Sequence, residues 1–192
     1  VLAGMRGRGR AGIVTTGHLV LLAASATGYA VGDIVRGRFS WSEFVLQAWF
    51  MTRVSLLPTI LVAIPFGAVI ALQLGSLTRQ LGAQSYTGAA SALAIIREAA
   101  PIATALLVAG AAGTAICSDL GARRVREEID ALEVLGIDPV QRLVVPRVLA
   151  AITVAVLLNG FVAFVGIVGG YFFSVGLQGS SAGSYFAGFA TL

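Results

Sequence analysis

From Leu56 to Leu77 the chain carries no charged residue, and the stretch from Val148 to Val175 repeats that property. Each run is long enough to cross the apolar core of a bilayer, which takes roughly 20 residues as a helix. Within a membrane every backbone polar group has to be satisfied inside the protein, which leaves helices or a closed barrel, and uninterrupted apolar runs suit helices. Composition agrees: 57% of the 192 residues are hydrophobic and 11% charged, against about a quarter charged in soluble domains, and mean hydropathy is +0.91. The expected fold class is an all-α integral membrane protein.

A third apolar run, from about Ala89 to Ser118, is interrupted by Arg97 and Glu98. An ionised side chain at such a depth costs at least ~2.5 kcal/mol unless it is paired or faces water. Two readings follow: a polar lining for a cavity, or a mutual or interhelical ion pair that fixes helix packing. Neighbouring residues point about 100° apart on a helix, so the two side chains are expected to do different work. Further along, Ala105, Ala109, Gly113, Cys117 and Gly121 recur every four residues. Such a stripe lets another helix approach closely, and Gly166-x-x-x-Gly170 offers the same on the third run. Pro58 and Pro65 lie inside the first run and predict a kink or a late start there.

Between the second and third runs, from Asp119 to Arg147, five Arg and six acidic residues are gathered. Val125, Ile129 and Leu132 share one helical face while Arg124, Glu127 and Glu128 point elsewhere, which predicts an amphipathic helix over about 122–136. Arg124 with Glu128 and Arg126 with Asp130 would be i,i+4 pairs. Gly136 suits the helix stop and Asp138-Pro139 the turn after it. The Arg excess of this loop, set against Arg79 alone beside the Gln80–Gly88 turn and none after Arg147, places the loop in the cytoplasm. The N terminus is then cytoplasmic too, and the third run leads outward to a Gly- and Ser-rich tail, Leu177–Leu192.

The N-terminal stretch is less decided. Arg6, Arg8 and Arg10 precede an apolar segment, Ile13–Val31, that is long enough to span yet rich in Thr, Ser and Gly, and that also imitates a signal peptide. His18 reads as an interfacial polar residue. Ser40-x-x-Glu43 matches a capping box, and Trp41 and Trp49 suit a membrane interface, so Trp41–Arg53 is expected as a separate, partly immersed helix.

Several function classes drop out. One Cys and one His leave no disulfide framework and no metal cluster. All 13 basic residues are Arg, so no Walker loop with its Lys can be present, and ATP-driven work needs another polypeptide. The net charge of +4 sits at the ends of apolar runs and does not point to nucleic acid. Arg in place of Lys, with abundant Ala and Gly, fits a GC-rich genome such as an actinobacterial one.

Arg97-Glu98-x-x-Pro101, the run Ala109-Gly110-Ala111-Ala112-Gly113, Asp119-Leu120-Gly121, Glu127-Glu128-Ile129-Asp130-Ala131-Leu132, Asp138-Pro139 and Val145-Pro146-Arg147 together resemble the MlaE/YrbE family of permease subunits. Asp119 departs from the Glu expected in many relatives. The resemblance implies a non-enzymatic membrane subunit of an ABC-type lipid transporter that works with MCE-domain proteins. It implies interfacial elbow helices over 1–55 and a permease domain over 56–192, with three of an expected five spans in this sequence. A second permease, as homo- or heterodimer, would complete the lipid path, with Ala105, Ala109, Gly113, Gly166 and Gly170 in helix packing. Arg97 and Glu98 would line the cavity for a phospholipid, sterol or fatty acid. Arg124, Glu127, Glu128, Leu132 and Asp138 would belong to a coupling helix seated on a separate ATPase, which would carry the ATP and Mg. The expected location is the plasma (inner) membrane. A membrane scaffold that holds MCE-type proteins without forming a path is the alternative; a lipid-modifying enzyme using Glu98 is a third.

Overall fold

A computed structural model describes residues 17, 21, 23–30, 32, 39–179 and 182–187. Arg6, Arg8, Arg10 and His18, and with them most of the expected elbow, lie outside the described residues, although 23–30 are helical. The remaining elements are α1 (Trp41–Gln80), α2 (Gln84–Val125), α3 (Glu128–Val134), α4 (Val145–Gln178) and α5 (Ala182–Ala187). No strand occurs among the described residues. Three of the helical stretches, Trp41–Gln80, Gln84–Val125 and Val140–Gly176, are long and apolar enough to cross a membrane.

α1 corrects one expectation. Trp41–Arg53 is not a separate helix: it runs without interruption into the first span, with Pro58 and Pro65 inside. The expected capping box does not form either. Glu43 accepts a hydrogen bond from Gln47 Nε2 at 2.9 Å, and Ser40 Oγ accepts one from Arg142 Nη1 at 2.8 Å. Several hydroxyls inside the helices, though not those of Ser55, Thr104 and Ser174, return to their own backbone, as Thr59 to the Ser55 carbonyl (2.6 Å) and Ser91 to the Thr87 carbonyl (2.7 Å). That keeps them satisfied where water is absent.

The turn from α1 to α2 closes through Gly82, whose φ of +68° is a left-handed conformation that glycine adopts without strain. Gly82 N–H bonds the Arg79 carbonyl and Ala83 N–H the Thr78 carbonyl, the paired bonds of a Schellman stop. A buried contact between the Thr78 and Thr87 hydroxyls, 2.6 Å apart, pins both ends of the turn.

α2 contains π-helical turns at Ile95–Ala99 and Val108–Ala112, and a third, Val140–Val144, leads into α4. Two of them share a cause. Pro101 and Pro146 have no N–H to offer the carbonyl four residues back, which belongs to Arg97 in one case and Arg142 in the other. Just before each proline the helix widens, with Ala100 N–H reaching the Ile95 carbonyl and Val145 N–H the Val140 carbonyl, five residues back.

By its internal contacts the chain divides into two units, residues Val1–Gln47 with Leu120–Ala150, and Ala48–Asp119 with Ala151–Leu192. One core cluster of the second unit is built from Ala63, Ala100, Ala103, Leu107, Leu158 and Val162. Small residues let helices approach closely, as where a Cβ on Gly67 of α1 would lie 2.1 Å from the Gly166 carbonyl oxygen of α4. α5 rests on α2 in the same manner, since a Cβ on Gly88 would meet the Tyr185 carbonyl oxygen at 1.9 Å. In the first unit Ala26, Ala30 and Val145 form a smaller cluster with Phe39 and Leu149 against it.

Candidate functional site

The second unit holds a groove of about 300 Å³ between α1 and α2. α1 contributes Phe66, Ile70, Gln73 and Leu74, spaced i, i+4, i+7 and i+8 so that they share one helical face. α2 contributes Ala94, Glu98, Ala99 and Ile102. The wall is apolar except for Gln73 and Glu98. Glu98 sits in the π-turn at Ile95–Ala99, and the extra residue in that turn changes which side chains share a face with the rest of α2.

Arg97 occupies the same turn but does not line the groove; both side chains are exposed. The two charges do not pair with each other, and neither has an ion-pair partner among the described residues. A lone carboxylate on an apolar wall can accept hydrogen bonds from, or attract, the polar end of an amphiphile whose chain lies along Phe66, Ile70 and Ile102.

Of the small residues marked for packing, Gly166 and Gly170 are buried, with Gly166 near Ile95 and Ala63, and Gly170 near Gly67 and Ala71. Ala105 and Ala109 are exposed and Gly113 is half-buried, while α2 turns Ala100, Ala103, Thr104 and Leu107 inward. That stripe is thus not the face buried within this chain.

The Asp119–Arg147 loop is built differently from the expected helix over about 122–136. α2 continues to Val125; the chain breaks at Arg126-Glu127, where Glu127 takes φ +58°, and α3 covers only Glu128–Val134. The break defeats the i,i+4 pairs. Arg124 bonds Asp130 instead, Arg126 bonds Glu128 at 2.9 Å, and Arg123 stands 3.5 Å from Glu128. All are in contact with solvent, Arg123 the least, so each adds at most about 1 kcal/mol. Val125, Val134 and Leu135 are among the most exposed large apolar residues of the chain, at 84%, 87% and 72%. Leu132 is half-buried.

α3 ends in a Schellman stop: Gly136 has φ +72°, its N–H bonds the Glu133 carbonyl, and Ile137 N–H bonds the Leu132 carbonyl. Asp138 then caps the next helical turn, its Oδ1 accepting from Val140 N–H at 2.8 Å with Pro139 in the first position. A hydrogen bond from Tyr29 to the Asp138 carboxylate, and the carboxylate's charge, hold the Tyr29 phenol above its usual pKa of 10.0. Arg147, 2% exposed, is the one charged residue buried among those described.

Sequence reasoning did not single out Gln73 as part of a wall, nor Ser40, Tyr29 and Arg142 as contacts of the loop. The repeated Arg-x-x-x-Pro at Arg97 and Arg142 was the available signal for the two π-turns.

Three apolar helices of spanning length, joined by a charged loop with exposed apolar residues, define a polytopic α-helical membrane protein. The chain belongs to the MlaE permease family: the model described as Permease MlaE matches residues 44–192. It is 34% identical over 151 residues to a probable ABC transporter permease protein of Synechocystis sp., covering 79% of this chain and 57% of that protein. It is 32% identical over 133 residues to the intermembrane phospholipid transport system permease protein MlaE of Haemophilus influenzae, covering 69% and 51%. Over 124 residues it is 34% identical to the chloroplastic protein TRIGALACTOSYLDIACYLGLYCEROL 1 of Arabidopsis thaliana, covering 65% and 35%. The chain spans about half the length of the curated bacterial relatives it matches.

Proposed function

We propose that the protein is the permease subunit of an ATP-driven lipid transporter in the plasma (inner) membrane. It pairs with a second permease of the same kind, takes its energy from a separate ATPase that binds ATP and Mg, and works with MCE-domain proteins. It catalyses no reaction itself and binds no cofactor. The observation that carries this reading is the α1–α2 groove in a chain of this family: an apolar trough with Glu98 and Gln73 as its polar positions.

In this mechanism the acyl or ring portion of a lipid lies on Phe66, Ile70, Leu74 and Ile102, and its polar end meets Glu98. A chain that arrives from the bilayer leaves no water behind, so the groove would hold it by close van der Waals packing rather than by hydrophobic burial. The carboxylate tunes which polar end is accepted, and Arg97 remains available to an anionic group from outside the groove. The loop from Asp119 to Arg147 faces the cytoplasm with the N terminus, residues 1–55 form the interfacial part, and 56–192 belong to the permease domain. α3 with Arg124, Glu127, Glu128, Leu132 and Asp138 is the coupling segment. Its support is the loop's charge pattern and the exposed Val134 and Leu135, which a partner's groove would cover.

Co-purification of the full-length permease with its ATPase, followed by lipid-stimulated ATP hydrolysis, tests this. Glu128→Arg with Leu132→Asp should release the ATPase while the permease stays folded in the membrane. Unchanged binding and turnover would sink the coupling assignment and leave a scaffold that forms no path.

A further inference from the structure

The π-turn at Val140–Val144 is held on three sides by the N-terminal part of the chain. Before it, Asp138 receives the Tyr29 phenol. Within it, Arg142 Nη1 donates to Ser40 Oγ at 2.8 Å, across 102 residues of sequence. Just after it, Val145, 1% exposed, packs on Ala26 and Ala30 with Phe39 and Leu149 beside them. All of these residues lie in the first unit.

The turn is also the weakest stretch of helix between α3 and α4. Pro146 supplies no N–H, so the backbone ladder lacks one bond there, and the five-back bond of Val145 replaces the tighter four-back one. A helix segment short of backbone bonds flexes most readily, unless side chains from elsewhere restrain it.

We propose that Ser40 and Arg142 form a latch that clamps the N-terminal segment and the start of α1 onto the π-turn leading into α4, so that the turn works as a hinge whose freedom the latch sets. The idea rests on the coupling role given to α3: a push on α3 reaches α4 only through this turn. With the latch closed, displacement of α3 carries residues 26–30, 39 and 40 with it. With the latch open, the turn absorbs the displacement and less reaches α4. Arg142 is a positioning residue here and touches no substrate. Exposure of the Arg142–Ser40 bond makes it easy to break, as a latch requires, whereas the Ala26–Ala30–Val145 cluster keeps the two segments together when it opens.

The test uses the full-length permease assembled with its ATPase in membranes, in native form and as Arg142→Ala, Ser40→Ala, Arg142→Lys and the double alanine variant. Hydrogen exchange is followed for peptides covering 39–46 and 137–146. Either alanine substitution should speed exchange in both peptides by about three- to tenfold, the loss of one hydrogen bond, and the double variant should add nothing further. Arg142→Lys should restore most of the protection. The ATPase should remain bound in all four, with the ratio of lipid-stimulated to basal hydrolysis reduced in the alanine variants. Faster exchange only in the peptide that carries the substitution, or additive effects in the double variant, would overturn the latch. An ATPase that still binds and turns over normally when Leu132→Asp disrupts α3 would instead count against the coupling role itself.

Discussion

Gly67 is where α1 comes closest to α4, and its substitution gives a graded test of the helix packing. A Cβ at Gly67 would stand 2.1 Å from the Gly166 oxygen, 2.7 Å from its carbonyl carbon and 2.8 Å from its Cα. All three are backbone atoms, so a rotamer change cannot relieve the contact and a helix must move. Overpacking of this kind costs typically about 1–3 kcal/mol. The same change at Gly166 meets the Cγ2 methyl of buried Ile95 at 3.1 Å, a contact that a shift of a few tenths of an ångström relieves, and at Gly160 it meets nothing within 4 Å. Gly160→Ala should therefore be neutral or gain up to about 1 kcal/mol from helix propensity. In thermal unfolding of the detergent-solubilised permease, the order of melting temperature should be Gly160→Ala, then Gly166→Ala, then Gly67→Ala. About 2–4 °C per kcal/mol is the scale for a chain of this size, which places Gly67→Ala roughly 2–12 °C below the native protein. A Gly67→Ala protein as stable as native would refute the close crossing of α1 and α4.

Other expectations follow from the same geometry. Glu98→Gln, which keeps size and removes charge, should alter which lipid headgroups stimulate ATP hydrolysis and leave ATPase binding intact; identical stimulation across headgroups would remove Glu98 from the lipid path. Gly136→Val forces a branched residue into φ +72°, costing at least about 1 kcal/mol, and should weaken ATPase binding by loosening the end of α3; an unchanged affinity would count against it. The Tyr29 phenol has its folded pKa raised above 10.0, so its contribution to stability is complete below pH 10 and lost as pH rises through the folded value. Asp138→Asn should bring the phenolate absorbance transition, isolated by comparison with Tyr29→Phe, to lower pH; an unmoved transition would deny the contact.

The spans were legible in the sequence because apolar runs free of charge have one stable fate in a helical membrane protein, and their limits were missed only where helices extend past the apolar core. Trp41–Arg53 was separated from Leu56–Leu77 because Trp41 and Trp49 suit a membrane interface; in the structure Pro58 and Pro65 lie inside α1 without ending the helix. The amphipathic helix over about 122–136 was misjudged for a different reason. Its facial pattern is continuous, and nothing in residue periodicity announces that Glu127 turns left-handed and resets the pairing of Arg124 and Arg126. Glu98 was visible as a charge in the wrong place, whereas Gln73 was not, since a single amide in a long span is common and its meaning depends on the residue opposite. The Ser40–Arg142 contact joins residues 102 positions apart, a distance over which no local rule operates.

The most direct measurement places a photo-crosslinking residue at Ile70 or Ile102 in the groove, and at Leu106 on the exposed face of α2 as a reference for bulk lipid. In the assembled transporter the groove positions should capture lipid saturably, with a headgroup preference that Glu98→Gln shifts and with occupancy that changes during ATP turnover. Capture at Ile70 and Ile102 that matches Leu106 in amount, lipid composition and indifference to ATP would contradict a lipid path through this groove.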